Sequence, residues 1–242
     1  MKSRSSRASR LAVLVSCVAA YSWCIAPVAA APFSNLDFES AVIGTPVYSE
    51  LPTSQALPGW TTHPVDAGMV GYDTIALDAA AVSIQDGLTP YSGFPRIMYP
   101  LSGSYSVLLQ SGHDPFGVPE TSWISQTGDI PADANSILFL DDLAAPTVSL
   151  NGTVIPTSIY SVGPTVNSTH GPIDTYIGDI RAFSGQQNVV LTFESVDGSG
   201  TTLDDIQFSP TVVPEPSTLA LIVIGVLSAP LYFLLRPRAL AK

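Results

Sequence analysis

The sequence predicts an all-β fold, an antiparallel β-sandwich of the jelly-roll kind over residues 31–208, with one apolar helix at each end of the chain. Three observations carry this. No stretch between Ala31 and Phe208 repeats its apolar residues at the 3.6-residue spacing of a helix. Short runs rich in Val, Ile, Thr, Tyr and Phe alternate there with clusters of Gly, Pro, Ser, Asn and Asp, which is strand-and-turn texture. Two uncharged runs, Leu11 to Ala20 and Thr218 to Leu235, lie outside that region.

The first ten residues hold Lys2, Arg4, Arg7 and Arg10 and no acid, and the apolar run that follows gives way to Ala26-Pro27-Val28-Ala29-Ala30-Ala31. A basic start, an apolar core and a small-residue exit read as a secretory signal peptide over residues 1–30, cut by signal peptidase after Ala30. Cutting one residue later would leave Pro32 beside the scissile bond. Leu14-Val15-Ser16-Cys17 resembles a lipoprotein processing box, but the apolar stretch before Cys17 is short for one and the run continues past it.

Candidate strands follow in order: Met69 to Leu77, Tyr105 to Gln110, Thr121 to Thr127, Ser136 to Leu140, Thr147 to Leu150, Thr153 to Tyr160, Tyr176 to Phe183, Val189 to Ser195 and Leu203 to Phe208. Asn151-Gly152 is the strongest hairpin signal, because both residues tolerate positive φ. In Val189 to Ser195, Val189, Leu191 and Phe193 oppose Val190, Thr192 and Glu194, the alternation of a half-buried strand. Ser136 to Leu140 is apolar on both faces, as a central strand is. Asp86 to Tyr99 reads as a long loop, and residues 209–217, with three prolines, as a linker.

Charge is strongly partitioned. Between the two ends only Arg96 and Arg181 are cationic against 19 acids, so this region carries a net charge of −17. Such a surface repels nucleic acid and anionic lipid and suits divalent cations or neutral polymers such as glycans. Both cysteines, Cys17 and Cys24, lie in the leader, which leaves the mature domain without disulfide or thiol chemistry.

Residues 218–235 are uncharged over 18 positions. As a helix they extend about 27 Å, against about 30 Å of bilayer core, so the segment is expected to span a membrane. The basic tail of residues 236–242, with Arg236, Arg238 and Lys242, is then cytoplasmic by the positive-inside rule, and the domain faces outward. Just before the span stands Val213-Pro214-Glu215-Pro216-Ser217. This motif, the apolar helix and the Arg-rich tail together resemble the PEP-CTERM sorting signal of Gram-negative bacteria. The resemblance covers about the last thirty residues. It implies processing by exosortase, an integral-membrane cysteine enzyme, anchorage in the inner membrane, onward transfer to the cell surface or extracellular matrix, and company with exopolysaccharide.

Several fragments of the middle region resemble galactose-binding-like β-sandwiches of the carbohydrate-binding-module type. They are Asn35-Leu36-Asp37-Phe38-Glu39 as the opening strand, Pro58-Gly59-Trp60, Trp123-Ile124-Ser125-Gln126-Thr127, and Leu203-Asp204-Asp205-Ile206-Gln207-Phe208 as the closing strand. The chain departs from the pattern at Leu36, where the family offers Gly, and in having fewer rings, which weakens the case for ligand binding more than that for the fold.

By strand alternation Asp204 shares a face with Ile206 and Phe208, so its carboxylate turns toward the core side and needs a partner. The resemblance implies that Glu39 and Asp204, with backbone carbonyls, hold a structural Ca²⁺, for which oxygen ligands are suited. The plainer alternative has Asp204 accepting hydrogen bonds from backbone amides. Trp123 lies on one face with Thr121, Ser125 and Thr127, and a large ring among hydroxyls is the form of a sugar-stacking platform. Trp60 is expected in the core. His63, His113 and His170 lack ligand spacing and are expected to be solvated. Asn151-Gly152-Thr153 and Asn167-Ser168-Thr169 match the N-glycosylation pattern, which in a bacterium carries no expectation. No nucleophile elbow is present, and among 19 acids carboxylate pairs arise without meaning catalysis.

The sequence thus points to a non-catalytic structural or adhesive envelope protein needing no cofactor. A lectin-like module is the alternative, and a glycosidase stands behind both.

Overall fold

The computed structural model describes residues 31–44, 50–64, 68–75, 79–87, 100–114, 116–165, 172–196 and 198–213. The leader, the Pro214 to Ser217 part of the sorting motif, the expected span, the basic tail, most of the Asp86 to Tyr99 loop, Arg96, His170 and the second glycosylation match lie outside them. Among the described residues no helix is long and apolar enough to cross a membrane.

The domain is all-β. Its strands are β1 Glu50–Pro52, β2 Thr61–His63, β3 Met69–Tyr72, β4 Ala81–Gln85, β5 Ser106–Gln110, β6 Gly112–His113, β7 Pro119–Glu120 and β8 Trp123–Gly128. They continue as β9 Ser136–Asp141, β10 Thr147–Leu150, β11 Thr153–Ile155, β12 Thr157–Thr165, β13 Pro172–Asp179, β14 Val189–Glu194 and β15 Gly200–Ser209. A one-turn helix, α1 Thr53–Ala56, and a 3₁₀ turn at Arg181–Phe183 complete them. Eight strands form one sheet in the order β1-β3-β4-β5-β15-β9-β13-β12, five form a second in the order β11-β10-β14-β8-β2, and β6-β7 is a small ribbon. All pairings between these strands are antiparallel except β3 with β4.

The two sheets share one core. From the larger come Val82, Ile84, Val107, Leu109, Ile137, Phe139, Leu203 and Ile206; from the smaller, Ile124, Val148, Leu150, Ile155, Val189, Leu191 and Phe193. Phe139 joins them, its ring stacked on Tyr176 at 5.5 Å and edge-on to Phe193 at 5.4 Å. The Val189/Leu191/Phe193 face is buried as its alternation requires, and β9, apolar on both faces, sits inside the larger sheet. Asn151 and Gly152 take φ of +50° and +75° and close the β10–β11 hairpin.

Several expectations change. The single strand expected over Thr153 to Tyr160 is two, because Pro156 has no N–H for a ladder and the chain crosses there from the smaller sheet to the larger. β13 stops at Asp179, whose carboxylate accepts the Arg181 N–H at 3.0 Å and turns the chain into the 3₁₀ turn. Asn35 to Glu39 is a turn rather than an opening strand. Asn35 and Phe38 have positive φ, Asn35 Oδ1 accepts from Ser40 N at 2.9 Å, and Asp37 Oδ1 accepts from Glu39 N. β1, β2 and the β6–β7 ribbon, at two or three residues a strand, are too short to be legible; β4, whose Val82 and Ile84 alternate with Ala81, Ser83 and Gln85, is a further strand absent from the expected set. Ser209, expected in the linker, is the last residue of β15.

Phe139→Ala removes the ring that touches both sheets and is expected to lower unfolding free energy by about 3–5 kcal/mol. Val190→Ala, on the outer face, is expected to change it by no more than about 0.5 kcal/mol. Denaturant unfolding of the two variants against the parent chain measures both.

Candidate functional site

The sequence singled out two places, and the structure puts them on the outer faces of different sheets.

Trp123 opens β8 in the smaller sheet. Cross-strand register aligns it with His63 of β2 on one side and Glu194 of β14 on the other. Continuing along the same outer face, Ser125 lies between Thr61 and Thr192, and Thr127 lies opposite Val190. Ser149 of β10 lies between Thr192 and Val154. The face is an array of hydroxyls, interrupted by Val190 and Val154, with one large ring at its end. The indole is half-buried, and the His63 imidazole stacks on it with centroids 5.2 Å apart and planes 11° from parallel. His63 Nε2 stands 3.1 Å from Glu120 Oε1, and Thr121 Oγ1 donates to Glu194 Oε1 at 2.6 Å. The predicted company of Thr121, Ser125 and Thr127 is therefore present, and His63, Glu120 and Glu194 join it. His63 is not simply solvated as expected: only the register of a strand invisible in the sequence brings it to Trp123. One face of the ring is consequently taken by the imidazole.

Trp60 is buried as expected, its Nε1 donating to Asn35 O at 3.0 Å and its ring 5.8 Å from Phe38. A groove of about 550 Å³ beside it is lined by Thr53, Leu57, Pro58, Trp60 and Thr61 among others.

Glu39 and Asp204 meet the same loop. Glu39 Oε1 accepts from the backbone N–H groups of Ser104 at 2.6 Å and Tyr105 at 3.0 Å. Asp204 Oδ2 accepts from Ser102 N at 2.8 Å and from the Ser106 hydroxyl at 2.9 Å, while Oδ1 accepts from Asp205 N at 2.7 Å. Gly103, at φ +54°, passes so close to Glu39 that a Cβ would run into Oε1. The two carboxylates thus clamp the turn that leads into β5.

Asp204 reaches this loop because its strand bulges. Asp204 pairs with Leu140 and Gln207 with Leu138, so Asp205 and Ile206 together oppose Phe139, with Asp205 at φ +46°. The extra residue flips the alternation. Ile206 and Phe208 stay on the core side with Phe139 and Ile137, while Asp204 turns to the opposite face with Leu138 and Leu140. The expectation that Asp204 shares a face with Ile206 and Phe208 is corrected accordingly.

The hydrogen bonds that reach both carboxylates come from N–H and O–H donors, the arrangement of an amide clamp. Among the described residues no group of three or more His, Cys, Asp or Glu gathers in a way that could hold a metal ion. The loop turns donors rather than carbonyls toward Asp204, and this does not fit a cation seated on its carboxylate. Among the described residues, no such bond reaches Glu39 Oε2.

Burial raises Asp204 to about 7, against the opposing bonds from Ser106, Ser102 and Asp205. Burial likewise raises Asp141 to about 6, against its bonds from the Thr201 hydroxyl and Leu143 N–H and with help from neighbouring Asp142. Both carboxyls hold a proton more tightly in the folded chain than in the unfolded one. The stability they contribute is full below the ordinary Asp value of 3.8 and is lost as pH rises through about 6 and then about 7. Asp204→Asn is expected to remove the upper part of that loss, so its melting temperature should vary less than the parent's between about pH 6 and 8. Identical slopes in melting curves recorded across that range would dismiss the buried carboxyl as their source.

No family model matches the chain, and no curated protein does. Among solved structures it has a likeness to a cyclase from Fischerella sp. TAU, at 13% identity and a TM-score of 0.39, covering 76% of this chain and 98% of that one. A likeness of that degree carries nothing further about this domain.

Proposed function

We propose that this chain is an exported envelope or matrix protein, sorted through a PEP-CTERM-type terminus, whose all-β domain serves a structural or adhesive role rather than a catalytic one. The observation that supports it is the order of parts after the domain: Val213-Pro214-Glu215-Pro216-Ser217, an uncharged run of 18 residues, then Arg236, Arg238 and Lys242. Each part is common alone, and their succession is what an anchoring and processing signal requires. In this reading signal peptidase removes residues 1–30, the run 218–235 lies in the inner membrane, and an exosortase-type enzyme acts near the motif. The domain is then passed to the cell surface or matrix, among exopolysaccharide.

The way the chain leaves the domain suits a tether. β15, which leads to the linker, lies inside the larger sheet, paired with β5 and β9. Beyond it Asn135 holds the exit, its N–H donating to Ser209 O at 2.7 Å and its side-chain amide to Pro210 O at 2.7 Å. A pull on the linker would load first the residues Gln207 to Ser209, paired with β9, and then Gly200 to Leu203, paired with β5. We take the finer fold to be galactose-binding-like.

The second reading is a lectin-like module, and Trp123 at the end of a hydroxyl-rich face favours it. A structural Ca²⁺ beside Glu39 belongs to that reading.

Mass spectrometry of the mature protein is expected to show a C-terminus near Pro214 to Ser217 in cells that have the sorting enzyme and not in cells that lack it. Intact Lys242 in both would overturn processing. For the lectin reading, retention on immobilised polysaccharide should vanish in Trp123→Ala; equal retention of both proteins, or none by the parent, would remove it. If the clamp needs no cation, chelation leaves the melting temperature unchanged, whereas a fall reversed by Ca²⁺ would place an ion there.

A further inference from the structure

The domain carries its charge unevenly. Although its net charge is −17, residues 143–173 hold no Asp, Glu, Lys or Arg in 31 consecutive positions. That stretch contains β11 and β12, an end strand of each sheet, joined directly through Pro156.

This rim is also apolar. Val154, Ile159, Tyr160 and Val162 are exposed by 59%, 51%, 50% and 69%, and every residue from Ser158 to Val162 is exposed. β13 pairs with one edge of β12, and among the described residues no strand pairs with the other. Register shifts around Tyr160, because Ile159 faces Tyr176 and Ser161 faces Thr175, so the tyrosine is the additional residue of a bulge. Bulges blunt an edge, but the usual stronger guard, a lysine or other charge on the strand, is missing.

The electrostatics select the partner. A basic partner would be attracted to this acidic domain over most of its surface and needs no neutral patch. A partner with the same charge is repelled wherever acids face acids, and it can approach only where charge has been withdrawn. We propose that the β11–β12 rim is a homotypic interface, on which a second copy of this chain docks through the same rim across a two-fold axis. The contact is self-complementary, apolar side chain on apolar side chain beside an unpaired strand edge, and it closes as a dimer. It stands independently of the sorting signal.

Sedimentation of the full chain in mild non-ionic detergent, over about 1–100 µM, tests this at a range typical of modest protein association. The mass should rise to that of a dimer. Val162→Lys, Ile159→Lys and Ser158→Lys, each at an exposed position and checked for an unchanged melting temperature, should weaken association by about tenfold or more. Phe116→Lys, at a position 90% exposed on the β6–β7 turn, should leave association unchanged. Raising salt from about 0.05 to 0.5 M should tighten the parent dimer, because it screens repulsion between the acidic bodies without touching an uncharged contact. A parent that stays monomeric, or association that the rim lysines leave intact and therefore arises at another surface, would overturn the proposal.

Discussion

β15 has to serve two partners that do not meet each other. Its first residues, Gly200 to Leu203, pair with β5, and from Asp204 on it pairs with β9. Among the described residues, the half-sheet β1-β3-β4-β5 and the half-sheet β9-β13-β12 are joined into one through this strand. The handover is made at the bulge of Asp205 and Ile206, and three consequences follow from one extra residue. Ile206 and Phe208 are kept in the core, and Asp204 is turned out of it. Ile206 N–H is released from the ladder to donate to Leu36 O at 2.9 Å, which fastens the N-terminal segment across the sheet.

The N-terminal segment is held by similar borrowed pairing. Gln126 projects from β8 on the core side, accepting from Ser34 N at 2.7 Å and donating to Ser34 O at 3.0 Å, as a neighbouring strand would. Phe33 packs on Phe208 at 5.1 Å. The first described residues therefore pack, through Phe33, against the last strand at Phe208. A buried carboxylate on a closing strand and an exposed one on an opening turn together position a segment that has no strand of its own. That is a stabilising role.

Distribution of charge connects the surfaces. The smaller sheet shows a face of Ser and Thr ending in Trp123, His63, Glu120 and Glu194, while β11 and β12 themselves carry no charged side chain, with Asp174 of β13 opposite Val162. On a body of such net charge, neutral areas are where uncharged polymers or like-charged proteins can approach without a penalty. The two areas adjoin through Val154, which belongs to the outer face by register with Ser149 and to the rim by position. The proposed adhesive role and the proposed homotypic rim are compatible uses of one surface.

Much was legible where a local pattern has one physical solution. Asn151-Gly152 had to turn, Val189 to Glu194 had to bury alternate residues, and a run apolar on both faces had to lie inside a sheet. Trp60, expected in the core, is buried against Phe38. Legibility failed where the backbone departs from strict alternation. Nothing in Leu203 to Phe208 announces a bulge, because any residue pair can supply it when two half-sheets must be joined. β2 is likewise illegible, its three residues being too few to set a period.

The sequence by itself determined the class of fold, the acidic character, the absence of thiol chemistry from the domain and the succession of motif, apolar run and basic tail. These depend on composition and on periodicity within a few residues. Tertiary structure alone decided which face Asp204 occupies, that Glu39 and Asp204 share a loop, that His63 covers Trp123, and that the uncharged stretch forms a rim. Each of these depends on pairing between segments far apart in the chain, where a register shift of one residue exchanges the two faces of a strand.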